Sequence, residues 1–258
     1  MKFQTGVATD VGRVRSGNED GFAVGPRVVA VADGMGGHAG GGTASAIAVA
    51  ACERLAGLTT IRREDVAAAV TRANDDVVRE AQARPDLVGM GTTLSGVAIV
   101  ELAGVPHFAV FNVGDSRVYR LDGAVLTPLT VDHSEVQELV AAGQLRAEDA
   151  RSHPARNVIT RSLGTQPAPE TDVWVLSPGP ADRFLVCSDG LTGEVDDPRI
   201  AAVLAAEPDP QRAAESLVQI ALDAGGRDNV TVVVADAVST DVLDDPTAPR
   251  GAVVGGLG

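Results

Sequence analysis

Apolar positions along the chain recur in two rhythms, interrupted mainly at glycine, proline and aspartate. Short valine-rich runs read as strands at Phe3 to Thr9, Phe22 to Val24, Val28 to Ala32, Thr92 to Val100 and Pro106 to Val113. Further strands follow at Val118 to Leu121, Val125-Leu126, Val173 to Leu176, Phe184 to Ser188 and Val230 to Ala235. The turns at Gly104 and at Asp122-Gly123 are short enough to make antiparallel pairs of the strands they join. Helical spacing covers Thr43 to Leu55 and Thr60 to Ala83, the second with Val66, Val70, Ala73, Val77 and Ala81 on one face. Asp197-Pro198 opens a short helix, and Asp209-Pro210 opens a longer one that Gly225 stops. Between 130 and 171 the pattern turns polar, with a helix at Ser134 to Ala142 and a helical turn at Ala147 to Arg151. Such an excursion is a flap, serving either to gate a substrate or to cover an open sheet edge. Residues 239–258 show no periodicity and read as a disordered tail, leaving 1–238 as the domain.

The pattern is densest at Val28 to Gly42, where a buried-strand run ends in Asp33 and glycines follow at 34, 36, 37, 40, 41 and 42. Asp-Gly after an apolar run is also an ordinary hairpin signal. Six glycines in this stretch exceed what a hairpin needs. A nucleotide loop is excluded, because no lysine followed by Ser/Thr and no G-x-G-x-x-G follows the strand. What remains is a carboxylate site. Asp115, Asp189 and Asp228 repeat the theme, each at a strand end beside glycine or asparagine, whereas Asp122 has plain hairpin spacing and receives no role.

Strand ends of neighbouring strands meet in space, and clustered carboxylates without imidazole or thiolate partners select Mg²⁺ or Mn²⁺. Two such ions activate water for in-line displacement at phosphorus. Arg15 offers a planar fork for a phosphate and His38 a proton for the leaving alkoxide. Composition bears on this choice. The formal net charge is −14, from 35 acidic and 21 basic residues, and such a field repels nucleic acid and anionic membranes but suits cations. With aromatics at only 3%, the core must be built from Val, Ala, Leu and Ile. Cys52 and Cys187 fall in apolar segments with no zinc spacing and read as buried thiols. No apolar leader and no membrane-length run is present, so the expectation is a cytoplasmic protein with no membrane partner, taken as a monomer.

The ordered set Arg15-x-x-Asn18-Glu19-Asp20, Asp33-Gly34-Met35-Gly36-Gly37-His38, Gly91-Thr92-Thr93, Asn112-x-Gly114-Asp115-Ser116-Arg117, Asp132-His133-Ser134, Ser188-Asp189-Gly190 and Gly225-Gly226-x-Asp228-Asn229 resembles the PPM family. These are metal-dependent Ser/Thr protein phosphatases of the protein phosphatase 2C type, here in the bacterial form. The resemblance covers residues 3–237 and implies an α+β fold, a four-layer αββα sandwich of two antiparallel sheets flanked by helices, with a flap insertion. It implies that Asp33 bridges two metals, that the Gly34 carbonyl completes one ion, and that Asp189 and Asp228 hold the other. Glu19 and Asp20 would hold metal-bound waters, Arg15 the substrate phosphate, and His38 would be the general acid. Asp115 with Asp189 would face a third, weaker metal, and Asn229 would orient Asp228 or a water. His107, His133 and His153 receive structural roles only. The implied partners are phosphorylated proteins and an opposing Ser/Thr kinase. Two rivals stand beside this reading: a noncatalytic phosphoprotein adaptor, and a metal-dependent nuclease or phosphodiesterase.

Overall fold

Twelve strands and seven helices follow one another in the computed structural model, which describes residues 1–36, 40–179 and 182–239. They run β1 (Lys2–Asp10), β2 (Gly21–Val24), β3 (Val28–Ala32), β4 (Gly34–Met35), α1 (Gly40–Ala56), α2 (Arg63–Ala83), β5 (Gly91–Thr92), β6 (Leu94–Leu102) and β7 (Val105–Val113). Then come β8 (Arg117–Asp122), β9 (Val125–Pro128), α3 (Glu135–Ala141), α4 (Ala147–Ala150), β10 (Asp172–Leu176) and β11 (Arg183–Cys187). The chain closes with α5 (Asp189–Thr192), α6 (Asp197–Ala206), α7 (Pro210–Ala224) and β12 (Val230–Val238).

One five-stranded sheet has the order β1-β12-β11-β8-β9 and the other β10-β7-β6-β3-β2, with every pairing antiparallel. The facing sides interdigitate through Phe3, Val31, Phe108, Val110, Phe184 and Val233. Phe108 and Phe184 meet edge to face at 4.8 Å between ring centroids, a favourable aromatic geometry in a core with few aromatics. The outer side of one sheet is covered by α1 and α2, through Ala48, Leu55, Val66 and Val70. The other is covered by α6 and α7, through Ile200, Leu204, Ala214 and Leu217. That gives four layers, αββα, and explains why β3 is apolar at every position: both its faces are covered, and all five residues are buried.

The expected α1 start at Thr43 moves to Gly40. A Cβ on Gly41 would lie 2.7 Å from the Gly34 carbonyl carbon, so only glycine lets the first turn of α1 press against β4. A second difference is α5, a helical turn beginning at Asp189 where the sequence suggests only a strand end.

The flap of 130–171 is tied down at its base. Leu163 bridges Thr92 and is fully buried in the core beneath α2. Asn74 of α2 accepts from the Gly164 amide at 2.9 Å. Cys52 and Cys187 are free and buried, and burial pushes both thiols up to about 12. Of the tail read from the sequence, residues 240–258 lie outside the described residues.

Candidate active site

Asp33 stands one residue past β3, on backbone that three hydrogen bonds fix. Its amide donates to Thr93 Oγ1 at 2.9 Å, and its carbonyl accepts from the Thr93 amide and from Thr92 Oγ1, each at 2.9 Å. Thr93 Oγ1 in turn meets Ser116 Oγ at 2.8 Å, linking Asp33 to the turn that carries Asp115. That turn depends on Gly114, whose φ of +110° and close approach to Thr93 exclude other residues.

From this anchor the other carboxylates gather. Asp115 follows β7, Asp189 opens α5 after β11, Asp228 precedes β12 and Asp20 precedes β2. Arg15, Glu19, Asp33, Asp115, Asp189 and Asp228 line one cleft of about 1020 Å³, which Gly34 and Asn229 also border. Both sheets contribute strand ends to it. Carboxylates far apart in the chain thus border one cleft. Among the described residues no three of them surround one point as a closed ligand shell. Arg15 holds Asp228 at 2.6 Å.

Withdrawal from water and mutual repulsion govern the electrostatics. Burial first, then the charges of Asp20, Asp189, Asp115 and Asp228, push Asp33 well above the ordinary carboxylate range. Burial and then Asp189 push Asp115 up to about 8, and burial pushes Asp20 up to about 6 despite hydrogen bonds from Thr231 and Ser188. Asp189 is raised by burial and then by Asp228. Asp20 Oδ1 and Asp115 Oδ1 are buried and have no hydrogen-bond partner among the described residues. Crowded acidic oxygens with orphaned lone pairs and a single arginine partner form a hard-oxygen donor set, which fits a divalent cation such as Mg²⁺ or Mn²⁺.

Several expected residues occupy places that refine their roles. Arg15 sits at the mouth of the cleft, its guanidinium bonded to Asp228, and that bond first of all raises its pKa. The Asn229 side chain does not orient Asp228. Its Oδ1 accepts from the Glu19 amide at 2.8 Å, and its Nδ2 donates to the Val11 and Gly17 carbonyls at 2.9 and 3.0 Å. Asp228 Oδ1 is held by the Asn229 backbone amide instead, at 2.8 Å. His38 lies outside the described residues.

Sequence reasoning gave no role to Ser188 beyond its place in a motif. Its hydroxyl donates to Asp20 Oδ2 at 2.8 Å and accepts from the Thr231 amide at 2.9 Å, so one side chain joins β11, β12 and the Asp20 loop. The only signal was its adjacency to Asp189. His133, expected to be structural, sets the Asp115 turn. Its Nδ1 accepts from the Gly114 amide at 3.1 Å, which places the proton on Nε2, facing Asp172 Oδ2 at 3.1 Å. Burial lowers its pKa below 6.5, and protonation would turn the Nδ1 acceptor into a donor. Its contribution to stability is therefore whole above about pH 6.5 and is lost as pH falls below that. His133→Ala is expected to lower stability by about 2 kcal/mol near pH 7.5, with a smaller deficit near pH 5.5. Urea melts at both values measure this; an equal deficit at both would contradict it.

A family model described as protein phosphatase 2C matches residues 15–220, most of the chain. The chain belongs to the protein phosphatase 2C family. It is 40% identical over 251 residues to the serine/threonine protein phosphatase PstP of Mycobacterium tuberculosis, covering 96% of this chain but 47% of that protein. The chain thus spans about half the length of that curated relative. With the serine/threonine phosphatase stp of Listeria monocytogenes it shares 37% identity over 239 residues, covering 88% of this chain and 93% of the other. The crystal structure of the PstP catalytic domain in complex with 2 manganese ions superimposes with a TM-score of 0.81 at 37% identity, covering 92% of this chain and 99% of that one. The αββα sandwich is therefore the fold of a phosphatase family, and one solved member is a manganese complex.

Proposed function

We propose that this protein phosphatase 2C member hydrolyses phosphoserine and phosphothreonine esters in proteins, opposing a Ser/Thr kinase. The observation that carries the reading is the meeting of Glu19, Asp33, Asp115, Asp189 and Asp228 in one cleft beside Arg15, with the charge of Asp20 acting on Asp33. Bound there, a pair of Mn²⁺ or Mg²⁺ ions would supply an activated water and neutralise charge at the phosphoryl group. Asp33, the Gly34 carbonyl, Asp189 and Asp228 would hold the ions. Glu19 and Asp20 would hold waters around them, and Asp115 with Asp189 would take a weaker third ion. Arg15, reaching the cleft mouth, would grip the phosphate through its planar fork. His38, in the Gly-rich sequence after Asp33, would protonate the departing serine or threonine oxygen.

The relatives' names support protein rather than nucleic acid as substrate, and so does a net charge of −14. No helix among the described residues is long and apolar enough to cross a membrane. We take the chain as a cytoplasmic monomer with its catalytic domain at 1–238. The test is turnover of phosphothreonine peptides with Mn²⁺, set beside DNA and cyclic nucleotides. The expected result is phosphate release from peptides alone, abolished by EDTA and restored by excess Mn²⁺. Cleavage of DNA or cyclic nucleotides in preference to phosphopeptides would overturn it, as would activity indifferent to EDTA.

A further inference from the structure

A second cavity, of about 890 Å³, opens beside the carboxylates and shares Asp189 and Asp228 with the first. Its other walls come from the flap, from the loop between α5 and α6, and from the loop before β12. Four arginines line it, and they differ in what they face. Arg227 is neutralised by Glu194, with two N–H groups at 2.8 Å from the carboxylate oxygens. Arg151 donates to the Thr192 carbonyl at 2.7 Å and the Val195 carbonyl at 3.2 Å; these bonds fix its position and leave its charge unbalanced. Arg156 of the flap and Arg199 of α6 are exposed, and neither guanidinium has a hydrogen-bond or ion-pair partner among the described residues.

Four acids line the same cavity. Glu194 is on Arg227, Asp196 caps α6 by accepting the Arg199 amide at 3.0 Å, and Asp228 is on Arg15. Asp189 belongs to the proposed metal site. With Arg227 and Glu194 cancelling and Asp189 and Asp228 assigned to the proposed metal site, Arg151, Arg156 and Arg199 face only Asp196, which keeps its charge because the amide it caps is neutral. A surplus of positive charge remains in this groove, on a chain whose net charge is −14. Arginine forks presented without partners at a cleft edge suit phosphate or carboxylate oxygens.

We propose that Arg156 and Arg199, on a floor fixed by Arg151, form a subsite for a second anionic group of the substrate polypeptide. The group is a phosphorylated or acidic side chain near the phosphoresidue being hydrolysed. The subsite rests on the phosphatase reading above and makes the flap a determinant of substrate choice. Because neither side chain has a partner to lose, truncating it leaves the fold intact.

The experiment measures kcat/KM of the full chain with Mn²⁺ on phosphothreonine peptides that differ at one position. That position, scanned along both sides of the phosphothreonine, carries a second phosphothreonine, a glutamate or an alanine; p-nitrophenyl phosphate is the small reference substrate. The parent protein is expected to favour an anionic peptide over its alanine counterpart by about tenfold at low salt. Arg156→Ala/Arg199→Ala is expected to lose that preference with p-nitrophenyl phosphate turnover unchanged, and Arg199→Glu to reverse it. Comparing the phosphorylated and glutamate peptides shows which anion the subsite takes. A parent protein that hydrolyses every peptide equally, or a double variant that keeps the preference, overturns the subsite and leaves the phosphatase reading standing. Failure to hydrolyse any phosphoester, p-nitrophenyl phosphate included, overturns both.

Discussion

Asp33→Asn is expected to reduce phosphopeptide turnover by on the order of a thousandfold or more, while raising the melting temperature of the metal-free protein. The two effects have one cause. Asp33 sits at the centre of a crowd of carboxylates whose charges oppose its own, and burial adds to the cost of ionising it. Its folded-state pKa is raised, so the destabilisation it causes without cations is absent below the ordinary carboxylate range and grows as pH rises. Asparagine has the same shape without the charge, and the backbone bonds of residue 33 to Thr92 and Thr93 remain. Each kcal/mol of relief corresponds to about 2–4 °C in a domain of this size. Added Mn²⁺ should raise the melting temperature of the parent and leave the variant nearly unmoved. Thermal melts with EDTA and with Mn²⁺, run beside the activity assay, measure both effects. A variant that melts lower than the parent in EDTA would show Asp33 to be a structural partner instead.

Asn229→Ala is expected to cost stability and activity together. That side chain is buried and makes three hydrogen bonds, to the Glu19 amide and to the Val11 and Gly17 carbonyls. It thereby staples the loop carrying Arg15, Glu19 and Asp20 to the start of β12. At about 1 kcal/mol for each hydrogen bond, the loss is about 3 kcal/mol, or a fall of about 6–12 °C in melting temperature. Activity should fall by about ten- to a hundredfold as well, because a small displacement of Arg15 degrades the alignment of the phosphate. Asp122→Ala, in the exposed Asp122-Gly123 hairpin, is the comparison and should change neither quantity appreciably. Equal melting temperatures for Asn229→Ala and the parent would contradict this role.

The carboxylates were legible in the sequence because each interrupts a valine-rich run at a glycine or asparagine, and a strand end is where a sheet presents side chains to a ligand. The two sheets were legible for a related reason: runs as apolar as Val28 to Ala32 need cover on both faces, and the resemblance supplied the four layers. Three features depend on groups far apart in the chain. Gly40–Gly42 read as loop, yet they are helical because α1 must press against Gly34. Asn229 was expected to orient Asp228 or a water, whereas its side chain reaches more than two hundred positions away in sequence, to the loop before β2. The arginine groove had no signature at all, since Arg156 and Arg199 come from segments that meet only in the folded chain.

The central claim is that the cleft at Asp33 holds divalent cations. Anomalous diffraction at the manganese edge, from crystals of the full chain grown with Mn²⁺, tests it most directly. The account predicts at least two peaks within bonding distance of carboxylate oxygens, one of them Asp33, and both gone in Asp33→Asn crystals. A map with no peak in that cleft, or with manganese only at surface acids such as Asp86 or Glu148, would contradict it.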